Sequence, residues 1–173
     1  MLSCCHGGTG DSASSGGPHT SAHLHGGRVM DTITDTTEEE TMTNPREDWN
    51  LGFMACFHRR YNLGDKITDP RGGTITVEDA LRIEATNTCP TVGSTAWEPC
   101  IVLPVYGYDH GGLAVSTDPF PCPWDSGRLG IIYAPYSRIR ECYGRKRITA
   151  STLEKARKSL TNEVEDYSRY LGG

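Results

Sequence analysis

The sequence predicts an α+β fold, a small antiparallel sheet covered by a long C-terminal amphipathic helix and a short helix. Three observations predict it. Leu153, Ala156, Leu160, Val164, Tyr167 and Leu171 recur at steps of three and four, which draws one apolar stripe along a helix. Residues 100–108 (CIVLPVYGY) and 113–117 (LAVST) are apolar runs around Asp109-His110-Gly111-Gly112, the pattern of a β-hairpin with a Gly-rich connection. Residues 129–134 (LGIIYA) form another apolar run of strand length. An amphipathic helix has one face to bury, and a small sheet is the surface at hand.

The chain begins differently. Residues 1–44 carry one Arg (Arg28) against six acids (Asp11, Asp31, Asp35, Glu38, Glu39 and Glu40), so the whole formal charge of −5 belongs to them. Residues 45–173 balance 16 basic side chains against 16 acidic ones. Residues 1–29 are mostly Gly, Ser and His, and 31–43 are acidic and Thr-rich. Such a stretch buries too little apolar surface to offset its ordering entropy. Residues 1–45 are therefore expected to form a disordered leader, and 46–173 a single domain. The leader lacks the basic start and apolar centre of a secretory signal, and Met30 and Met42 offer later starts. A folded part without net charge excludes a generally basic nucleic-acid coat and a generally acidic mimic. No apolar run approaches the roughly 18–20 residues of a membrane span, which predicts a soluble protein.

Each element has its own signal. Residues 49–61 (WNLGFMACFHRRY) alternate, with Phe53, Ala55 and Phe57 on one face and Met54, Cys56 and His58 on the other: a half-buried strand ending in a basic turn. Asn62-Leu63-Gly64-Asp65 reads as a turn. Thr76 as N-cap and Asp79 at the capping-box position open a short helix running to about Ala85. Residues 86–99 read as a loop. Pro104 within an apolar run marks a sheet edge or a bulge. Residues 120–127 (FPCPWDSG) are irregular, because Pro121 and Pro123 remove two backbone donors. Residues 136–143 suit a short helix closed by Gly144. Ser151-Thr152-Leu153-Glu154 reads as the capping box of the final helix, which Gly172 and Gly173 end.

The seven cysteines (4, 5, 56, 89, 100, 122 and 142) include no CxxC pair, and an odd number points to reduced thiols in a cytoplasm, mostly as small core residues. His6, His19, His23 and His25 with Cys4 and Cys5 match no zinc spacing. The chain holds no GxxxxGK[ST], no GxGxxG after a strand and no HExxH, so no cofactor and no metal are expected.

Three clusters are candidate sites. Asp109 and His110 on the hairpin connection, with Cys122, Trp124, Asp125 and Ser126 downstream, supply the thiol, imidazole and carboxylate of a cysteine hydrolase or transferase. The plainer alternative is that Pro-Cys-Pro-Trp packs the loop while Asp125 and Ser126 cap a turn. His58-Arg59-Arg60-Tyr61 pairs two arginines that grip phosphates with a Tyr that stacks on a base; the same arginines can pair with Glu47, Asp48 or Asp65. Finally, residues 138–158 hold Arg138, Arg140, Arg145, Lys146, Arg147, Lys155, Arg157 and Lys158 against only Glu141 and Glu154. Cations at the start of the last helix and acids (Glu163, Glu165, Asp166) nearer its end oppose the macrodipole. Glu154–Lys158 and Glu165–Arg169 pairs would offset part of that cost. An anionic partner surface would explain the rest; the plainer alternative is an ordinary solvated face.

Five segments carry a family resemblance. Trp49-Asn50-Leu51-Gly52 with residues 56–65 (CFHRRYNLGD), residues 103–111 (LPVYGYDHG), residues 120–127 (FPCPWDSG), residues 130–133 (GIIY) and residues 143–149 (YGRKRIT) resemble, in order, a family of small accessory proteins of bacteriophages, prophages and related mobile elements. The resemblance spans about residues 46–171 and leaves out the leader. It implies no settled activity. Its genetic context implies inhibition of host defence, in an anti-CRISPR or anti-restriction manner, by binding a bacterial nuclease or its nucleic acid in the host cytoplasm, with no membrane and no small-molecule substrate. The expected contact residues are Arg59, Arg60, Tyr61, Trp124 and the cations of 138–158. The alternatives are a small Cys/His enzyme, with Cys122 as nucleophile, His110 as base and Asp109 or Asp125 as orienting group, and a single-stranded nucleic-acid binder.

Overall fold

The computed structural model describes residues 43–67, 73–91 and 94–172. In chain order the elements are β1 (Phe53–Cys56), α1 (Val77–Thr86), β2 (Thr88–Pro90), β3 (Trp97–Asp109), β4 (Leu113–Ser116), β5 (Ser126–Pro135), α2 (Tyr136–Cys142) and α3 (Ala150–Gly172). All pairings are antiparallel, in the order β1-β5-β3-β2, and β4 also pairs with β3. The α+β class, with a small antiparallel sheet and a long C-terminal helix, is the one expected. Of the leader expected over 1–45, all but residues 43–45 lies outside the described residues, as do its His and Cys positions, Met30 and Met42, and Gly173.

β5 shows why the sheet is layered as it is. Every residue from Leu129 to Pro135 is buried, because helices cover both faces. Ile132 and Ala134 join Leu160, Val164, Tyr167 and Ile139 of α3 and α2, whereas Ile131 and Tyr133 join Ala80 and Ile83 of α1. The 180° alternation of a strand thus feeds two cores, and each fully buried Ile contributes about 2 kcal/mol of transfer free energy. β1 obeys the same rule: Met54 and Cys56 pack with the α3 core, and Phe53, Ala55 and Phe57 with the α1 core, as the alternation requires. β1 lies so close to β5 that a Cβ at Gly130 would collide with the Ala55 carbonyl oxygen.

Several elements differ from expectation, each for a physical reason. The first strand spans four residues rather than 49–61, because, apart from the Phe57 amide that donates to the Leu129 carbonyl, its flanking backbone bonds to side chains instead of a ladder. Leu51 and Gly52 amides donate to Glu163, the Asn50 carbonyl accepts from Arg138, and His58 Nδ1 accepts the Arg60 and Tyr61 amides. The expected loop over 86–99 contains β2 and the start of β3, paired through Thr88↔Pro99 and Pro90↔Trp97. Nothing alternates there; what anchors the ribbon is Cys89, fully buried in the α1 core beside Cys100. Pro104 sits in an inner strand, but at residues between the β2 and β4 pairings and one residue before the register shift at Val105/Tyr106. A missing amide does least harm there. The Thr76–Asp79 capping box is present in both directions. α3 begins two residues earlier than its sequence signal: Thr149, not Ser151, accepts the Thr152 amide at 3.2 Å.

Candidate functional site

The β3–β4 hairpin and the segment returning to β5 meet at one end of the sheet. Proline blocks a regular ladder through residues 121–123, so one backbone bond and several side-chain contacts hold this return segment instead. The Asp109 amide donates to the Asp125 carbonyl at 2.9 Å, and Ser126 Oγ donates to the Cys122 carbonyl. His110 Nδ1 lies 3.1 Å from Asp125 Oδ2, and Cys122 Sγ donates to the same oxygen at 3.6 Å. Tyr108 stacks on Phe120 at 5.5 Å between ring centres. Asp109 turns the other way, its Oδ2 3.6 Å from the Arg60 guanidinium. Trp124, at the tip, is 91% exposed. A cleft of about 290 Å³ separates this loop from the basic turn, lined by His58, Arg60, Asp109, Trp124, Asp125 and Arg128.

His110, Cys122 and Asp125 therefore converge, in an order that matters chemically, while the Asp109 carboxylate, expected with them, is turned away to Arg60. A cysteine nucleophile needs imidazole against its sulfur and a carboxylate behind the imidazole. Here the carboxylate stands in the middle, and thiol and imidazole each meet Asp125 rather than one another. The contacts hold a proline-rich turn in one shape, and they present Trp124 to solvent. Among the described residues, no group of three or more His, Cys, Asp and Glu side chains is placed to hold a metal.

The basic residues divide sharply. Arg138 is not on the free surface. Its head donates to the Asn50 carbonyl and lies over the Phe53 and Trp49 rings at 4.5 and 5.0 Å, and burial lowers its pKa. It clamps the segment before β1. Arg60 meets Asp109, while Asp65, one of its expected partners, is taken by Arg46. Arg59 and Tyr61 are exposed, with Tyr61 stacked on His58 at 4.9 Å. Arg140, Arg145, Lys146, Arg147, Lys155, Arg157 and Lys158 are all exposed, and none has an ion pair among the described residues. The expected helical pairs do not form: Arg169 meets Asp166 instead of Glu165. Around the start of α3 the segment after α2 bends into a cleft of about 490 Å³, lined by Tyr143, Arg145, Lys146, Arg147, Lys155 and the hydroxyl residues Thr149, Ser151 and Thr152.

One charged cluster was not anticipated from the sequence. Arg46, with a side chain only 2% exposed, binds Asp65 through two hydrogen bonds of 2.8 and 2.6 Å, Glu163 at 3.1 Å and the Gly52 carbonyl at 2.8 Å. Asp65 also accepts the Met54 amide, and Glu163 the Leu51 and Gly52 amides. Burial pushes the Glu163 carboxyl above its ordinary value, against the opposing pull of Arg46 and the Gly52 amide. Burial lowers Arg46, but its two carboxylates more than reverse this and hold it firmly charged. Burial also pushes the nearby Cys56 thiol up to about 12. This cluster ties the segment before β1 to α3 and is architecture. Its one sequence signal is Glu163 itself, a charge seven residues after Ala156 and three after Leu160, inside the apolar stripe.

Comparison with protein-family models, with curated proteins and with solved structures returns no match. Among the described residues, no helix is long and apolar enough to cross a membrane.

Proposed function

We propose that this chain is a mobile-element accessory protein that acts by binding, and that it inhibits a host defence nuclease through the basic surface around the start of α3, in the cytoplasm of a bacterial cell. The observation that carries this reading is the unpaired state of that surface. Arg46, Arg60, Arg128 and Arg169 each meet a carboxylate, whereas the seven cations from Arg140 to Lys158 meet none among the described residues. Four of these cations, Arg145, Lys146, Arg147 and Lys155, line one cleft, and such a concentration of unpaired charge steers an anionic partner and fixes its orientation. The mobile-element motifs and the anti-CRISPR or anti-restriction role they imply supply the class of partner, a nuclease or the nucleic acid it holds. The segment that resembles that family as YGRKRIT contributes Arg145, Lys146 and Arg147 to the cleft.

The test is capture from a bacterial lysate by the full chain, followed by mass spectrometry. The wild-type chain is expected to retain a nuclease or its complex in stoichiometric amount. Arg145→Glu with Arg147→Glu should reduce capture at least about tenfold, the scale on which buried charge contacts act across an interface. Both sites are exposed, so thermal stability should shift by no more than about 0.5 kcal/mol. A clean bait, or capture indifferent to the double substitution, would sink the proposal.

A further inference from the structure

We infer that the cleft at the start of α3 is a seat for the phosphodiester backbone of a nucleic-acid strand, an inference that rests on reading this surface as the contact face. A cavity of about 490 Å³ is lined by Arg145, Lys146, Arg147 and Lys155 and by no carboxylate. Each of the four is without an ion pair among the described residues. Packing like charges around one concavity is unfavourable unless a counter-charge fills it, and a concave wall focuses the field on whatever enters. The rest of the chain carries a formal excess of acid, the whole molecule being −5, so a polyanion finds its attraction at this cleft.

Two further features favour phosphate over the carboxylates of an acidic protein. The cleft opens at the first turn of a 23-residue helix that holds no acid there, so the amides left over by helix geometry and the Ser151 hydroxyl add to the cations. The cavity gathers four cations on one wall, which suits successive phosphates of one strand better than the single flat pairs of a protein face. Among the described residues, the one aromatic ring on its wall is Tyr143, half-buried and tethered through its hydroxyl to Ser159 at 3.0 Å. With one half-buried, tethered ring against four cations, the cleft reads backbone rather than bases, and binding is indifferent to sequence.

The experiment is fluorescence anisotropy of the full chain with labelled single-stranded 12-mers of dT and of dA, at 50 to 200 mM salt. Both strands should bind within about threefold of each other, and affinity should fall about 50-fold across that salt range, as expected when four cations each displace a counterion from a single strand. Lys155→Glu should weaken binding at least about tenfold and flatten the salt dependence. Lys155 is exposed and has no ion pair among the described residues, so the variant keeps its fold. Lys66→Glu, the same charge change on a residue outside the cleft, should do much less. Absence of binding at 50 mM salt would overturn the inference, as would equal losses in the two variants or displacement of the strand by an oligoglutamate peptide at equal charge. If the 12-mers fail while a nuclease-resistant protein is still captured from lysate, the phosphate assignment falls and the inhibitor reading stands. If the 12-mers bind and the lysate yields nothing, the reverse holds.

Discussion

Arg46 decides more of this structure than its position in the sequence reveals. It lies next to Pro45 at the edge of an acidic, polar stretch, and nothing nearby marks it as buried. In the fold it is the cation between Asp65, 19 residues away, and Glu163, 117 away. Coulomb attraction across such separations leaves no periodic trace, so residue types alone do not disclose the cluster. Removing one member of a buried, hydrogen-bonded charge set leaves the others uncompensated. Arg46→Met should therefore cost about 3–5 kcal/mol, read as a loss in urea-unfolding free energy, because Asp65 and Glu163 would face each other without a cation. A loss below about 1 kcal/mol would mean that the two carboxylates hold their segments unaided. At the opposite end of the sheet, Asp109, His110, Cys122 and Asp125 were legible as a cluster because they sit within 17 residues on a hairpin and its return. Their order of contact was not, since it depends on which way each side chain leaves a proline-bound turn.

Among the elements, periodicity was the reliable guide wherever burial imposed it. The stripe of α3 buries Ala156, Leu160, Val164 and Tyr167, and the alternation around β1 splits its side chains between two cores as read. Element ends followed a different logic, because side chains from elsewhere compete for the terminal backbone groups. Ser151 and Glu154 have the spacing of a capping box, yet Thr149 holds the Thr152 amide and the helix begins at Ala150. Thr149→Ala should thus lower stability by about 1 kcal/mol, whereas Ser151→Ala, inside the first turn, should change it by a few tenths at most. Thermal unfolding of the two variants side by side distinguishes the caps; equal or reversed losses would return the cap to Ser151. β2 escaped detection for a related reason: a three-residue strand has no period, and Thr88–Pro90 pairs only because the seat for Cys89 already exists.

Across the whole molecule, the buried charges make stability depend on pH in a direction that can be worked out. The Glu163 carboxyl titrates above its unfolded value of 4.5. Between 4.5 and that raised value the folded chain binds more protons than the unfolded one, so this group's contribution is fully present below 4.5 and is lost as pH rises through the folded value. Relative to Glu163→Gln, which cannot titrate, the wild-type chain should gain stability between pH 7 and pH 5, measured as the difference in Tm at the two pH values. A difference that moves against the wild type on acidification would show that Arg46 and the Gly52 amide outweigh burial. Sequence by itself determined the class of this fold, its hairpin, its long helix and the concentration of cations between residues 138 and 158, because periodicity, turn chemistry and charge density are local quantities. Tertiary structure alone decided that Arg138 turns inward onto Asn50, that Arg46 bridges two distant carboxylates, and that Arg145, Lys146, Arg147 and Lys155 line one cleft. Those outcomes depend on where separate segments come to rest against each other, and that is settled by how the three helices and five strands of the described residues pack.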